Sequence, residues 1–322
     1  MVAKFEQLPG ELIMFIIEFI ENPLLLFLNL NSTINRILSD HRIKLNYKIE
    51  NHLYYIASLP TSLTRLVSMN FRGGDLRRFQ NLKSLILCIN ENIVGKFRFP
   101  SSLEYLKISF NMEIPSSLFH SLSTLKRLQT LVINSKQRIN VTFPADLILF
   151  SRNMKILQLE NIPIEISSIY NLEELPKLKY LNIQLSEADE LFHNTPFTSF
   201  STLKTLIIHF QLSFTDLEHV LSAFDGDHLE HLELYSQTNI SQTDYFDGKR
   251  WSKLFERFQK LTKCQIELRQ KGRRGIYDNL LREFQRELKE TNELKEKWNM
   301  KCYRSCPGYH GTVVSVQISA SL

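Results

Sequence analysis

The pattern Leu-x-x-Leu-x-Leu, with conservative replacements, recurs through the middle of this 322-residue chain and restricts its fold more than any other feature. It starts at Leu63 (LTRLVS), Leu82 (LKSLIL), Leu103 (LEYLKI), Leu128 (LQTLVI) and Met154 (MKILQL). It continues at Leu178 (LKYLNI), Leu203 (LKTLII), Leu229 (LEHLEL) and Leu261 (LTKCQI). By subtraction, the nine starts lie 19, 21, 25, 26, 24, 25, 26 and 32 residues apart. Alternate strand residues face opposite sides, so each Leu-x-Leu predicts a short strand with its leucines inward. The linking segments then return along the other side, several as helices. FTDLEHVLSAF predicts one, with Thr215 as its cap and Leu217, Val220, Leu221 and Phe224 on one face. IPSSLFHSLSTL predicts another from Ile114, with Pro115, Leu118, Phe119 and Leu122. No such unit buries its apolar side alone, so stacking must supply a continuous core.

These motifs resemble leucine-rich repeats. Asn90 and Asn111 fall eight positions after Leu82 and Leu103, where that family places its ladder asparagine, whereas Asn134 and Asn161 are displaced. The resemblance implies an α/β solenoid, a horseshoe that binds on its concave sheet. The surface positions are the second, fourth and sixth after each start. The second gives Arg65, Ser84, Tyr105, Thr130, Ile156, Tyr180, Thr205 and His231. The fourth gives Val67, Ile86, Lys107, Val132, Gln158, Asn182, Ile207 and Glu233. The sixth gives Met69, Cys88, Ser109, Asn134, Glu160, Gln184, His209 and Tyr235. Residues at one register form a row. The later repeats concentrate Tyr180, His209, His231 and Tyr235 among Gln158, Asn182 and Glu233, a mixture suited to protein recognition. With Tyr105, these are the candidate target-binding residues.

The N-terminal stretch FEQLPGELIMFIIEFI is neither a secretory signal nor a membrane span by pattern. Lys4 is the one early basic residue, and Glu6, Glu11 and Glu18 interrupt the apolar run. Leu12, Phe15, Ile16, Phe19 and Ile20 recur at helical spacing, with Pro9 at the first position. Asn22-Pro23 opens a second apolar helix with Leu24, Leu25, Phe27 and Leu28; Ser32 opens a third with Ile34, Ile37 and Leu38. Three short apolar helices cannot bury this surface among themselves, so the excess must face the rest of the chain or a partner. The order Leu8-Pro9-x-Glu11-Leu12, Ile16-Ile17, Ile20, Leu24-Leu25, Ile37-Leu38 resembles an F-box, although the aromatic often found in its third helix is replaced in NSTINRIL. The F-box family docks onto a Skp-type adaptor, and through it a cullin, in SCF-type ubiquitin ligases. The resemblance implies adaptor contacts through Leu8, Pro9, Leu12, Ile16, Leu24 and Leu25.

Past Leu268, residues 276–296 carry Tyr277, Leu280, Leu281, Phe284, Leu288 and Leu294 at helical spacing. Trp298–Tyr303 and Thr312–Ser319 alternate like strands around Pro307-Gly308. The expected organisation is a helical module over 1–46, a solenoid over 47–268 and a C-terminal helix plus β-hairpin over 269–322 that closes it.

A 43% apolar content and 23% charge describe a globular chain with a sizeable core. The formal net charge of +5 is mild for this length, and neither nucleic acid nor a membrane is expected as a partner. RQKGRRG holds the basic knot Arg269, Lys271, Arg273 and Arg274 and reads as a solvated loop. Cys88, Cys264, Cys302 and Cys306 form no disulfide framework, and without a secretory signal a cytoplasmic or nuclear setting is expected. The sequons at Asn31, Asn140 and Asn239 then carry no meaning. His228-x-x-His231, near His219, Asp225 and Asp227, reads as solvated histidines. Cys302-x3-Cys306-x3-His310 lacks a fourth zinc ligand. No phosphate loop, nucleophile elbow, kinase signature or metalloprotease motif is present. The expectation is a non-enzymatic receptor without cofactor or metal, the substrate-recognition subunit of an SCF-type ligase. The alternatives are a leucine-rich-repeat scaffold whose N-terminal helices merely cap it, and a zinc-dependent activity at Cys302, Cys306 and His310.

Overall fold

The computed structural model describes residues 8–19, 37, 46–49, 63–69, 74–90, 97–111, 116–136, 151–166, 169–172, 175–185, 200–224, 227–236, 243–270, 277–290, 298–305 and 312–320. The chain divides into two compact units, one comprising Met1–Val141 and Asp146–Met154, the other Thr142–Ala145 and Lys155–Leu322. Both are α/β with parallel strands.

The first unit carries helix α1 (Gly10–Phe19) and the parallel strands β1 (Asn46–Ile49), β2 (Arg65–Met69), β4 (Ser84–Ile89), β6 (Tyr105–Phe110) and β7 (Thr130–Ser135), adjacent in that order. The short strands β3 (Gly74–Asp75) and β5 (Phe97–Arg98) pair separately, and helix α2 (Ser116–Leu122) precedes β7. In the second unit β8 (Ile156–Ile164), β9 (Tyr180–Leu185), β10 (Thr205–Phe210), β11 (His231–Ser236) and β12 (Lys263–Gln270) are parallel. The hairpin β13 (Trp298–Ser305) and β14 (Thr312–Ala320) extends this sheet, β14 pairing antiparallel with β12. Helices α3 (Ile169–Leu172), α4 (Phe214–Ser222), α5 (Gly248–Phe255) and α6 (Tyr277–Glu290) complete the unit.

From Leu63 onward, every predicted repeat start is followed two residues later by the first residue of a strand, including the degenerate LTRLVS and LTKCQI. The leucines of these strands are buried and their neighbours half-exposed, alternating strictly along β4, β6, β10 and β11. Each fully buried leucine contributes about 1.5–3 kcal/mol, whereas an exposed pair such as Lys83–Glu104 contributes about 0–1 kcal/mol, so the leucine ladder dominates. A further position accompanies the leucines. The N–H of Leu82, Leu128, Leu178, Leu203 and Leu261 donates to the carbonyl three residues earlier, on Phe79, Leu125, Leu175, Phe200 and Phe258. All five of those side chains are buried. Successive units are stitched by hydroxyls: Ser102 Oγ donates to the Leu82 carbonyl and Thr202 Oγ1 to the Leu178 carbonyl, both at 2.9 Å. Asn111 Nδ2 donates to Asn90 Oδ1, which joins the two asparagines that fall eight positions after Leu82 and Leu103.

Several expectations are corrected. Helix α4 is capped by Ser213, not Thr215: Ser213 Oγ accepts the Asp216 N–H at 3.1 Å, and the Asp216 carboxylate accepts the Ser213 N–H at 3.3 Å. This reciprocal box needs an acid three residues after the cap, which Asp216 supplies for Ser213. The α4 apolar face is as predicted, with Leu217, Val220, Leu221 and Phe224 buried. Helix α2 starts at Ser116, with Leu118, Phe119 and Leu122 buried. In α1 the buried stripe is Ile13 and Ile17, at 1% and 0% exposure, while Leu12 is 44% exposed and Ile16 half-buried. A helix this apolar offers two adjacent stripes of equal spacing, and periodicity cannot choose between them. Pro9 precedes the helix, and its carbonyl accepts the N–H of Leu12 and Ile13 at 3.0 and 3.1 Å. The second expected N-terminal helix, with Leu24 and Leu25, lies outside the described residues, as does the third apart from Ile37, which is helical and buried. The predicted C-terminal helix ends at Glu290, beyond which 291–297 lie outside the described residues.

The return segments of the second unit pack aromatic rings tightly. Phe214 meets Trp251 and Tyr245 edge-on at 4.9 and 5.2 Å. The buried polar tips are satisfied: Trp251 Nε1 donates to the Tyr245 carbonyl at 3.0 Å and Tyr245 OH to the Leu212 carbonyl at 2.7 Å.

Candidate functional site

Strand register builds the surface directly. In the second unit Ile156, Tyr180, Thr205, His231 and Lys263 align across five strands, as do Gln158, Asn182, Ile207, Glu233 and Gln265. The third row reads Gln184, His209, Tyr235 and Glu267. Glu160 does not join it, because Pro163 takes the place opposite Gln184. The irregularity lies between Gln158 and Pro163, where Asn161 adopts φ 59°. Asparagine tolerates this left-handed conformation, so Asn161 accommodates the extra residues of β8.

Glu233 is the hub, its side chain 15% exposed. Its Oε1 receives His231 Nε2 at 2.7 Å and Lys263 Nζ at 3.2 Å, and its Oε2 receives Tyr235 OH at 2.8 Å. An ionised carboxylate only accepts, so His231 carries its proton on Nε2 in this contact. Burial pushes the Glu233 carboxyl upward, but the donors Tyr235, Lys263 and His231 outweigh it and hold the group below its ordinary value. Tyr235 moves the other way, raised by burial and further by its bond to Glu233. Tyr180 is raised by burial and by the Glu233 and Glu160 charges, against a hydrogen bond from Asn182. The His209 and Tyr235 rings stack at 5.0 Å and 16°. The result is a half-buried aromatic platform, with its polar edge fixed by one carboxylate.

The candidate residues are therefore not all equivalent. Tyr180, His209, His231, Glu233 and Tyr235 come together on adjacent strands of the second unit. Gln158 is half-buried and donates to Glu160. Asn182 is only 6% exposed and Gln184 4%, with Asn182 Oδ1 and Gln184 Oε1 lacking hydrogen-bond partners among the described residues, so this part is not an open solvent face. Tyr105 lies in the first unit, half-buried between Ser84 and Thr130. Lys263, Gln265 and Glu267 join the surface but were not singled out in sequence. Their repeat is degenerate because Cys264 stands where a leucine belongs, yet counting two, four and six from Leu261 locates all three.

Of the adaptor candidates, Pro9 and Leu12 are exposed and Leu8 and Ile16 half-buried, while Leu24 and Leu25 lie outside the described residues. His228 is exposed in the turn before β11. Cys302 is placed in β13 opposite Val316, and Cys306 and His310 lie outside the described residues. Among the described residues no group of three or more His, Cys, Asp and Glu side chains gathers as a metal site. The Cys264 thiol is fully buried and raised by that burial, which makes it inert. Among the described residues no helix is long and apolar enough to cross a membrane.

No protein-family model matches the chain, and no curated protein matches it either. Among solved structures, it is similar to an internalin (inlF) from Listeria monocytogenes, with 19% identity and a TM-score of 0.41. That match covers 67% of this chain and 56% of the internalin chain.

Proposed function

We propose that this chain is a non-enzymatic protein-recognition module of the leucine-rich-repeat type, holding a target protein on the strand face of its second unit. The observation that carries this reading is the Glu233 hub, which fixes Tyr235 and His231 while His209 stacks on Tyr235. Rigid amphipathic rings surrounded by hydrogen-bonding groups suit the centre of a protein interface. The Glu233 carboxylate is occupied by three donors, which suits positioning better than proton transfer. The proposal includes no cofactor, no nucleic acid and no membrane partner, and a cytoplasmic or nuclear setting.

The more specific reading is a substrate receptor of an SCF-type ubiquitin ligase. One observation favours it over a scaffold with a helical lid: Leu12 is the large apolar side chain exposed among the described residues, beside exposed Pro9. Ile13 and Ile17 meanwhile anchor the same helix. A docking helix needs such an outward apolar stripe, whereas a lid buries it. The receptor would then raise the effective concentration of a target lysine near the charged ubiquitin carrier, the chemistry being supplied by other subunits.

The test is co-expression with a Skp-type adaptor and size-exclusion chromatography of wild type against Pro9→Ala/Leu12→Ala. Co-elution that disappears in the variant, with its thermal melt unchanged, is the expected result. A folded protein that ignores the adaptor leaves the recognition module without a ligase role. For the strand face, Tyr235→Ala/His209→Ala should lose the proteins that wild type captures, and an unchanged captured set would sink that reading.

A further inference from the structure

We propose that a groove on the return-segment side of the first unit binds a phosphorylated segment of another protein, with Lys126 and Arg127 receiving the phosphate. The site is separate from the strand face and does not depend on the reading given to it.

The groove has a volume of about 1300 Å³ and is walled by three successive return segments, 77–80, 97–102 and 120–127. Arg77, Arg98, Lys126 and Arg127 line it, with no carboxylate among the described lining residues. Asp75 stands behind two of these cations. It holds Arg77 through Nε–Oδ1 at 3.0 Å and Nη2–Oδ2 at 2.6 Å, and its Oδ2 reaches Arg98 Nη1 at 3.5 Å. Lys126 and Arg127 are exposed and have no carboxylate partner among the described residues. Four cations against Asp75 leave a formal +3 at this one place, in a chain whose whole balance is +5. Charge concentrated to that degree marks an anion site more than a solvated face.

The wall is preorganised. Ser102, Ser121 and Thr124 spend their hydroxyl protons on the carbonyls of Leu82, Phe97 and Ser121, at 2.9, 2.6 and 2.8 Å. The donors left for a ligand among the described residues are Lys126, Arg127, the Ser101 hydroxyl, the Gln80 amide and the His120 imidazole N–H. An arginine fork beside a lysine point charge matches a phosphate dianion better than a single carboxylate.

Size and lining select the kind of ligand. The volume exceeds the roughly 300–1,000 Å³ of small-molecule pockets, so a stretch of chain fits better than free phosphate. The aromatic residues Phe97 and Phe99 are 2% and 4% exposed and stack on each other at 5.8 Å. Among the described lining residues the one exposed ring is thus the His120 imidazole, too little for a run of stacked bases, and no exposed apolar side chain stands ready to enter a bilayer.

The experiment uses the full chain and fluorescence anisotropy with three labelled peptide pools. They share degenerate flanks and are centred on phosphoserine, serine or glutamate. The phosphoserine pool should bind about tenfold tighter than the serine pool. Lys126→Gln/Arg127→Gln should erase that preference while the thermal melt stays unchanged. Equal binding of the phosphoserine and serine pools overturns the proposal, as does a preference that survives the double substitution. Equal binding of the glutamate pool replaces the phosphate assignment with a general acidic-peptide site. Tighter binding of a single-stranded oligonucleotide or of phosphatidylserine vesicles than of the phosphoserine pool also overturns it.

Discussion

Tyr235 donates its hydroxyl to Glu233 Oε2 at 2.8 Å, two residues back on the same strand face. The pair divides one proton unequally. Burial raises Tyr235 and Glu233 adds to it, while Glu233, itself pushed up by burial, is brought below its ordinary value by the donors around it. Replacing Glu233 with glutamine keeps the shape but withdraws the charge that Tyr235, Lys263 and His231 all address. Glu233→Gln should cost about 1–3 kcal/mol in urea unfolding. A loss below ~0.5 kcal/mol would mean that the network is too wet to matter.

The same carboxylate sets a pH dependence. A carboxyl whose folded value lies below its unfolded one stabilises the fold above the unfolded value, and that contribution disappears as pH falls through the folded value. Glu233 starts from an ordinary value of 4.5 and is lowered on folding. The stability gap between wild type and Glu233→Gln should therefore be full near neutral pH and shrink as pH drops below 4.5. Urea midpoints of both proteins across acid pH would show it; a gap that widens there would reverse the assignment.

Gly248 begins α5 where α6 crosses it. Its N–H donates to Glu287 Oε2 at 2.9 Å, and a Cβ there would sit 2.7 Å from Glu287 Cβ and from the Phe284 carbonyl oxygen. One of those neighbours is backbone, so relief requires the helices to part. Gly248→Ala should lose about 1–3 kcal/mol despite alanine's higher helix propensity. A more stable variant in calorimetry would show that the contact yields.

The two hydroxyls ahead of α4 separate a cap from a bystander. Ser213→Ala removes the capping box and should cost about 1 kcal/mol. Thr215→Ala, inside the helix, loses only a 3.3 Å contact with Arg250 Nη2 and should stay within about 0.5 kcal/mol. Parallel thermal melts decide between them.

Helix α1 offers the clearest separation of folding from docking. Ile17→Ala empties a fully buried position and should cost about 2–5 kcal/mol. Leu12→Ser changes a side chain that is 44% exposed and should leave stability within about 0.5 kcal/mol while weakening the proposed adaptor capture. Equal destabilisation by both would indicate that Leu12 is covered in solution.

Strand positions were legible in the sequence because a Leu-x-Leu unit states its own alternation, and burial has little choice once the period is set. Even LTKCQI, with Cys264 in a leucine position, forms its strand two residues after Leu261. The rows follow from the same count, so Tyr180, His231, Glu233 and Tyr235 could be named as one surface. Three things were decided only in three dimensions. Glu160 fell out of its row because β8 shifts register between Gln158 and Pro163, with Asn161 left-handed in the irregularity, and no alternation encodes such a slip. Asn182 and Gln184, on formally outward positions, became buried, because burial depends on what else covers a face. The inward stripe of α1 was settled as Ile13–Ile17 over Leu12–Ile16, because in a helix apolar nearly all round only the neighbour's shape distinguishes two equivalent stripes. Periodicity is local and survives in the letters; register slips, coverage and the choice between equal faces are non-local and belong to the fold.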